Sequence, residues 1–164
     1  MSEFNPDNYY KTNLIIWLAI IIGMLMLIGI TYFLDQSNTF QPVAETLEVK
    51  NVLFALILVS ALAVLFLKRS FLDFGKIYAK VQSLIDSEKR SAFFSKLRSN
   101  YIIIWAISES ILMIGFIEYI LICDIQSFLL YAVIGLYAIG VNFPRKSLFK
   151  NHLELLAEKE GSSE

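Results

Sequence analysis

Two glutamates, Glu109 and Glu118, lie in an otherwise apolar stretch, SESILMIGFIEY (108–119). A carboxyl group inside a membrane can fix helix packing by hydrogen bonding, contact a partner subunit, or carry a proton or cation. On a helix, nine residues turn through about 900°, so the two side chains point to opposite sides. They therefore do not form an acid/base dyad, because glycosidase-like or aspartic-protease-like catalysis needs two carboxylates converging on one bond.

The elements that must hold these glutamates are apolar helices. The chain is 57% hydrophobic, with a mean hydropathy of +0.61, whereas soluble domains are typically about 45–50% apolar. We predict an all-α fold, an integral membrane bundle of four transmembrane helices within a single membrane domain, 1–164. The spans are expected at about 13–34, 50–68, 101–123 and 126–143, each near the length that crosses a bilayer. The first span is expected to be retained, because its flank is acidic and no signal-peptide cleavage site follows it.

The basic residues indicate how the chain is threaded. Most of the Lys and Arg residues lie between spans two and three or in the tail 144–164, whereas the loop 35–51 has only Lys50 and the hairpin 124–126 has none. Basic segments remain on the cytoplasmic side. Both termini and the segment 69–100 are therefore predicted to be cytoplasmic, and the protein to be a multi-pass protein of the inner (plasma) membrane.

The cytoplasmic segment 69–100 carries apolar residues at helical spacing with charges between them. We predict an amphipathic helix over about 74–85, a break near Ser87, and a short helix leading into span three. The basic residues could form a surface for anionic lipid or a partner protein; these are Lys76, Lys80, Lys89 and Arg90. Alternatively, the segment is a helical hairpin whose charges only enforce the topology.

The two glutamates differ in predicted depth. At about 1.5 Å per residue, Glu109 lies roughly 4 Å to the cytoplasmic side of the midplane and Glu118 roughly 10 Å to the outer side. No Lys, Arg or His occurs within the apolar runs of the spans (14–34, 52–67, 101–123 and 127–143), so neither glutamate has a cationic partner there. Matching depths suggest neutral partners, which are Tyr137 and Ser60 for Glu109, and Thr31 and Tyr32 for Glu118. Small residues beside Glu118, including Gly115, predict close approach of another helix on that face.

The sequence WAISESILMIGFIEYIL (105–121) resembles the carboxylate-bearing helix of rotary ATPase proteolipids, in which an Ala/Ser-rich turn precedes a glutamate and a glycine follows it. Ala106, Glu109 and Gly115 match that pattern. The resemblance implies that Glu109 binds a proton or sodium ion. Spans one and two lack the glycine-repeat helix of that family. The whole chain resembles small four-span bacterial membrane proteins, a resemblance that implies no activity.

Other chemical signals are weak. Cys123 is the only cysteine and His152 the only histidine, so neither belongs to a Cys/His cluster of the kind that binds metals. The net charge of −1 does not suggest nucleic-acid binding, and no cofactor is expected. We predict a non-enzymatic accessory or structural subunit in the lipid bilayer that forms a homo-oligomer or joins a larger membrane complex. The alternative is a proton- or cation-translocating subunit that uses Glu109.

Overall fold

The computed structural model describes residues 6–37, 41–42 and 47–161, which form helices without strands. The all-α prediction is confirmed. Four of the helices are long and apolar enough to cross a membrane, as predicted. In chain order, the helices are α1 (Pro6–Gln36), α2 (Leu47–Phe71), α3 (Phe74–Val81), α4 (Asp86–Ile122), α5 (Ile125–Val141) and α6 (Lys146–Gly161).

The α4–α5 hairpin forms the centre of the bundle. α1 packs against one side of this hairpin and α2 against the other, and the described residues form no comparable contact between α1 and α2. The two helices that come first in the chain are therefore separated in space. Only 11% of the residues in their apolar windows are buried, whereas the third and fourth spans are 44% and 39% buried. In a bilayer, α1 and α2 would present most of their surface to lipid.

The hairpin turn is built from two residues. Cys123 adopts a left-handed conformation (φ 58°), and its amide donates to the carbonyl of Tyr119, which ends α4. Asp124 then caps α5 by accepting hydrogen bonds from the amides of Gln126 and Ser127. We name this end of the bundle, around Cys123 and Asp124, the hairpin end. The opposite end, where α1 begins and α3 and α6 lie, is named the basic end.

Two glycines allow the central helices to approach closely. A Cβ atom added at Gly115 of α4 would lie 3.0 Å from the Cβ of Tyr131 on α5. A Cβ added at Gly135 of α5 would lie 3.1 Å from Cε of Met24 and 3.3 Å from the carbonyl oxygen of Ser108. The close approach expected at Gly115 is therefore made by α5, and α1, α4 and α5 meet at Gly135.

Three side chains donate to carbonyl oxygens at the end of α5 and at its C-cap residue, Asn142. The indole of Trp17 (α1) donates to Ile139 O at 3.1 Å, and that of Trp105 (α4) donates to Asn142 O at 2.9 Å. Lys68 (α2) donates to Val141 O at 2.9 Å. Each neighbouring helix thus contributes one donor, and together they fix the position at which α5 stops before Pro144.

The segment 69–100 differs in detail from its prediction. Asp73 starts α3 by accepting a hydrogen bond from the amide of Lys76, and α3 ends at Val81. The break therefore lies at 82–85 rather than near Ser87. The predicted short helix that leads into span three is the first part of α4, which runs without interruption from Asp86 to Ile122, because no Pro or Gly occurs before Gly115 to interrupt it.

Aromatic residues hold the helices together at the basic end. The ring of Phe149 on α6 stacks with Phe94 and Tyr101 of α4 and makes an edge contact with Tyr10 of α1. An ion pair between Lys146 and Asp7, at 3.1 Å, joins α6 to the start of α1. The predicted tail 144–164 therefore contains a helix that folds back onto the bundle.

Candidate functional site

Glu118 lies at the centre of a buried polar site near the hairpin end. Its side chain is 1% exposed, because α5 covers the face of α4 that it shares with Gly115. The hydroxyl of Tyr131 donates to Glu118 Oε1 at 3.4 Å. The other carboxylate oxygen, Oε2, is buried without a hydrogen-bond partner in the described part of the chain.

An ion pair lies beside this buried carboxylate. Lys50 of α2 contacts Asp124 Oδ2 at 2.7 Å, and the hydroxyl of Ser127 donates to the same oxygen at 2.7 Å. The Lys50 ammonium, followed by the Ser127 hydroxyl, lowers the pKa of Asp124 to about 2. The charge of Lys50 also acts on Glu118. The first turn of α2 therefore brings a cation towards a glutamate whose own span contains none.

Sequence reasoning did not find this arrangement. Thr31, one of the partners suggested for Glu118, donates instead to Leu27 O on its own helix, and Tyr32 is 57% exposed. The partner is Tyr131, which depth alone could not single out. A signal was nevertheless present in the sequence: Lys50 is the only basic residue of the loop 35–51, and Asp124 is the only acidic residue of the hairpin 124–126.

Glu109 has a different environment. It is half-buried and lines an apolar groove of about 320 Å³ between α1 and α4. It forms no hydrogen bond or ion pair with any residue that the structure describes. The other lining residues are Gly23, Met24, Met26, Leu27, Ile30, Leu112 and Met113.

The structure does not bring Tyr137 or Ser60 to Glu109. Tyr137 is 70% exposed and lies two residues beyond Gly135, so it points roughly 160° away from the face of α5 that packs on α4. Ser60 belongs to α2, which packs against α4 around Ile111. Because Ile111 is two residues from Glu109, that face also lies roughly 160° away. Depth matching failed here because it carries no information about direction around each helix.

The predicted basic surface is divided between two helices. Lys76 and Lys80 of α3 are exposed and line a cavity of about 320 Å³ beside the end of α2. The ammonium of Lys76 donates to the hydroxyl of Ser70 at 3.0 Å. Lys89 and Arg90 lie on α4 beyond the break; Lys89 is only 8% exposed, and Arg90 is half-buried. The four residues therefore do not form one continuous exposed surface.

His152 of α6 is buried between the rings of Phe74 and Phe93, with centroid distances of 5.6 Å to each. Burial lowers the pKa of His152, although the backbone of Leu72 and the charge of Asp73 act in the opposite direction. The described residues contain no group of three or more His, Cys, Asp or Glu side chains arranged to hold a metal ion. The position of His152 is that of a packing residue between α3, α4 and α6.

Comparison with known proteins adds no family assignment: no protein-family model, no curated protein and no solved structure matches this chain.

Proposed function

We propose that the protein is a non-enzymatic accessory subunit of a larger membrane complex, and that it binds a transmembrane helix of its partner in the groove between α1 and α4. The observation that carries this proposal is the position of Glu109, a carboxyl group without a described partner in an open apolar groove. A polar group facing lipid is costly, whereas a hydrogen bond from a neighbouring helix removes that cost. A helix with a basic or hydrogen-bond-donating side chain at this depth would complete the site.

A different protein fits the groove better than a second copy of this chain. Within the spans that sequence analysis predicted, the only cations are at the ends, Lys50 and Lys68. Lys50 is paired with Asp124, and Lys68 donates to Val141 O. A second copy would therefore bring no free cation to Glu109, and the exposed Tyr137 of that copy could offer only a neutral hydroxyl. Charge complementarity favours a heteromeric partner.

Photo-crosslinking in native membranes tests this proposal. A photoreactive residue at Met26 or Met113, which line the groove and are 63% and 46% exposed, should yield one protein adduct. The same residue at Val133 of α5, which is 65% exposed away from the groove, serves as the control. Equal adducts at all three positions, adducts with lipid alone, or a homodimer adduct would contradict the proposal.

Two variants test the role of the groove directly. Glu109→Gln and Gly23→Leu should each reduce co-purification of the crosslinked partner, the first by removing the charge and the second by filling the groove. Nothing lies within 4 Å of a Cβ atom added at Gly23, so the second variant should still fold. Retention of the partner at the wild-type level in both variants would exclude the groove.

The topology is part of the same proposal. The basic end contains the start of α1, the helix α6 and most of the basic residues, so the positive-inside rule assigns it to the cytoplasm and the hairpin end to the outer side of the inner membrane. Cys123, the only cysteine, lies at the hairpin end. A membrane-impermeant thiol reagent should therefore label Cys123 in intact cells, and labelling only after the membrane is opened would reverse the assignment.

Translocation of protons or cations by Glu109 is the second candidate. The groove supports it less well, because Glu109 is the only ionisable residue among the described lining residues. A carrier needs polar groups that connect it to both sides of the membrane. Reconstituted protein should show equal proton and cation flux in the wild type and in Glu109→Gln; a loss of flux in the variant would favour translocation over the accessory role.

A further inference from the structure

A second polar cavity lies at the basic end, where α2 and α5 end and α6 begins. It measures about 130 Å³, and its polar lining comes from Lys68, Tyr101, Asn142 and Arg145. Every described lining residue is neutral or cationic. The cavity is smaller than the roughly 300–1,000 Å³ of sites for drug-sized ligands, so it suits a single small group rather than a whole metabolite.

The cavity has unused hydrogen-bond donors. Lys68 uses one ammonium hydrogen on Val141 O and retains two, because an ammonium has three donors. The side chain of Arg145 is exposed and forms no hydrogen bond or ion pair with a described residue. Its guanidinium is close enough to Lys68 and to Tyr101 for its charge to act on both. Lys68 and Arg145 repel each other, and no acidic residue among the described lining residues compensates their charges. An anion bound between them would relieve this repulsion.

Backbone and apolar groups complete this environment. α6 begins at Lys146, directly after Arg145, so the positive end of its helix dipole lies at the same place. Leu72, Phe143 and Leu148 supply apolar surface beside the cations, and Phe143 is 37% exposed. A phosphate group that carries acyl chains can use both kinds of surface, whereas a free phosphate ion uses only the first.

We propose that Lys68, Arg145 and Tyr101 bind the phosphate group of an anionic phospholipid at this cavity. A phosphate diester accepts charge-assisted hydrogen bonds from the ammonium and guanidinium groups. The ammonium of a zwitterionic headgroup would be repelled by the same cations, so the site favours phosphatidylglycerol over phosphatidylcholine. This site differs from the basic surface predicted from sequence, and its residues come from α2, α4 and the α5–α6 junction.

Native mass spectrometry of the detergent-solubilised full chain tests the site. Titration with phosphatidylglycerol should give one tightly bound lipid, and phosphatidylcholine should bind more weakly. One basic residue near a membrane surface contributes about 1 kcal/mol to the binding of anionic lipid, which is about fivefold in affinity. Arg145→Gln should therefore weaken the first lipid about fivefold, and Lys68→Gln/Arg145→Gln about 25-fold.

Matched controls separate this site from general electrostatic attraction. Arg69→Gln/Lys150→Gln removes the same net charge from two exposed positions outside the cavity and should leave the affinity of the first lipid unchanged. An equal loss in both double variants, or wild-type binding by Arg145→Gln, would overturn the proposal. Lys68→Arg should retain the bound lipid, which distinguishes loss of the cation from loss of the fold.

A competition experiment identifies the source of the phosphate. Inorganic phosphate and glycerol 3-phosphate should displace phosphatidylglycerol only at a large excess, because neither contacts the apolar residues. Displacement by either at concentrations comparable to the lipid would assign the cavity to a soluble phosphate compound and contradict the lipid proposal.

Discussion

The groove at Glu109 and the polar site at Glu118 are nine residues apart on one helix and have opposite surroundings. Glu118 is covered by α5, accepts a hydrogen bond from the hydroxyl of Tyr131 and lies close to the charge of Lys50. Glu109 faces an apolar groove and has no described partner. Predicted depth suggested the reverse, because Glu109 is the deeper residue and Glu118 the one nearer polar headgroups.

The difference shows that the helix lying against a carboxyl group, rather than its depth, decides whether the chain itself satisfies the group. Glu118 shares its face with Gly115, where α5 approaches within van der Waals contact. Glu109 lies at the edge of the contact between α4 and the peripheral helix α1. We therefore assign Glu118 to the internal architecture, and Glu109 is the residue on which the proposed partner interface rests.

The largest effect on stability is expected from filling the position of Gly115, with Gly23 as the matched control. Gly115→Leu should lower the free energy of unfolding by about 3 kcal/mol, because even the first added carbon would lie 3.0 Å from Tyr131. Gly23→Leu should leave stability nearly unchanged, since its Cβ meets nothing within 4 Å. Unfolding in mild detergent measures both. Equal destabilisation would show that the groove is as tightly packed as the hairpin.

Next in size is the loss of Asp124. Asp124→Ala removes both the ion pair with Lys50 and the cap of α5, and should cost about 2 kcal/mol. Asp124→Asn keeps a capping side chain and should cost about 1 kcal/mol. The comparison uses the same unfolding assay. If the two variants are equally stable, the cap contributes nothing and the ion pair accounts for the whole effect.

The ion pair also predicts a dependence on pH. The pKa of Asp124 is lowered from 3.8 to about 2 in the folded protein, so the folded state holds fewer protons there than the unfolded state. The stabilisation is therefore fully present above about pH 4 and is lost as the pH falls towards 2. Because the two side chains are 39% and 30% exposed, solvent screening limits the effect to about 1 kcal/mol. Stability differences between wild type and Asp124→Asn should shrink over this range; a constant difference would contradict the assignment.

A smaller effect is expected for the hydrogen bond between Tyr131 and Glu118. Its length of 3.4 Å indicates a weak bond, so Tyr131→Phe should cost about 0.5 kcal/mol. In a Glu118→Leu background the same change should cost nothing, since the acceptor is gone. A double-mutant cycle measures this coupling, and purely additive effects would mean that the two groups do not interact.

The smallest effect on stability is expected at Glu109. Glu109→Leu removes a carboxyl group without a described partner and should change the free energy of unfolding by less than about 0.5 kcal/mol. The same variant should lose the proposed partner in a pull-down from native membranes. A large loss of stability would move Glu109 into the same structural role as Glu118 and remove the contrast between them.

Hydropathy was sufficient to predict the number of spans. An uninterrupted apolar run long enough to cross a bilayer almost always forms a membrane helix. All four candidate spans could therefore be located from the sequence. Pro144 likewise marked the end of α5 within a few residues. These features depend only on local composition and covalent constraints.

The partners of the glutamates could not be predicted in the same way. Pairing Glu118 with Tyr131 requires knowing that α5, not α1, covers that face of α4. The exclusion of Ser60 and Tyr137 depends on the rotation of α2 and α5 about their axes, which continuous apolar runs do not encode. The ion pair between Lys50 and Asp124 was not predicted. Lys50 is the first residue of predicted span two, and the sequence does not show that this end of α2 lies beside the hairpin, where the ammonium contacts Asp124.

The length of α4 has a mechanical consequence. Its 37 residues extend about 55 Å at 1.5 Å per residue, against a hydrocarbon core of about 30 Å. The same continuous rod therefore forms one wall of the Glu109 groove and, at its other end, the helix on which α3 and α6 rest. From Glu109 to Asp86 the rod measures about 35 Å, so a tilt of about 10° at the groove would move its tip by about 6 Å. A partner that tilts α4 at the groove would therefore also displace Phe149 and the helix α6 at the basic end, because Phe149 stacks on Phe94 and Tyr101 of α4.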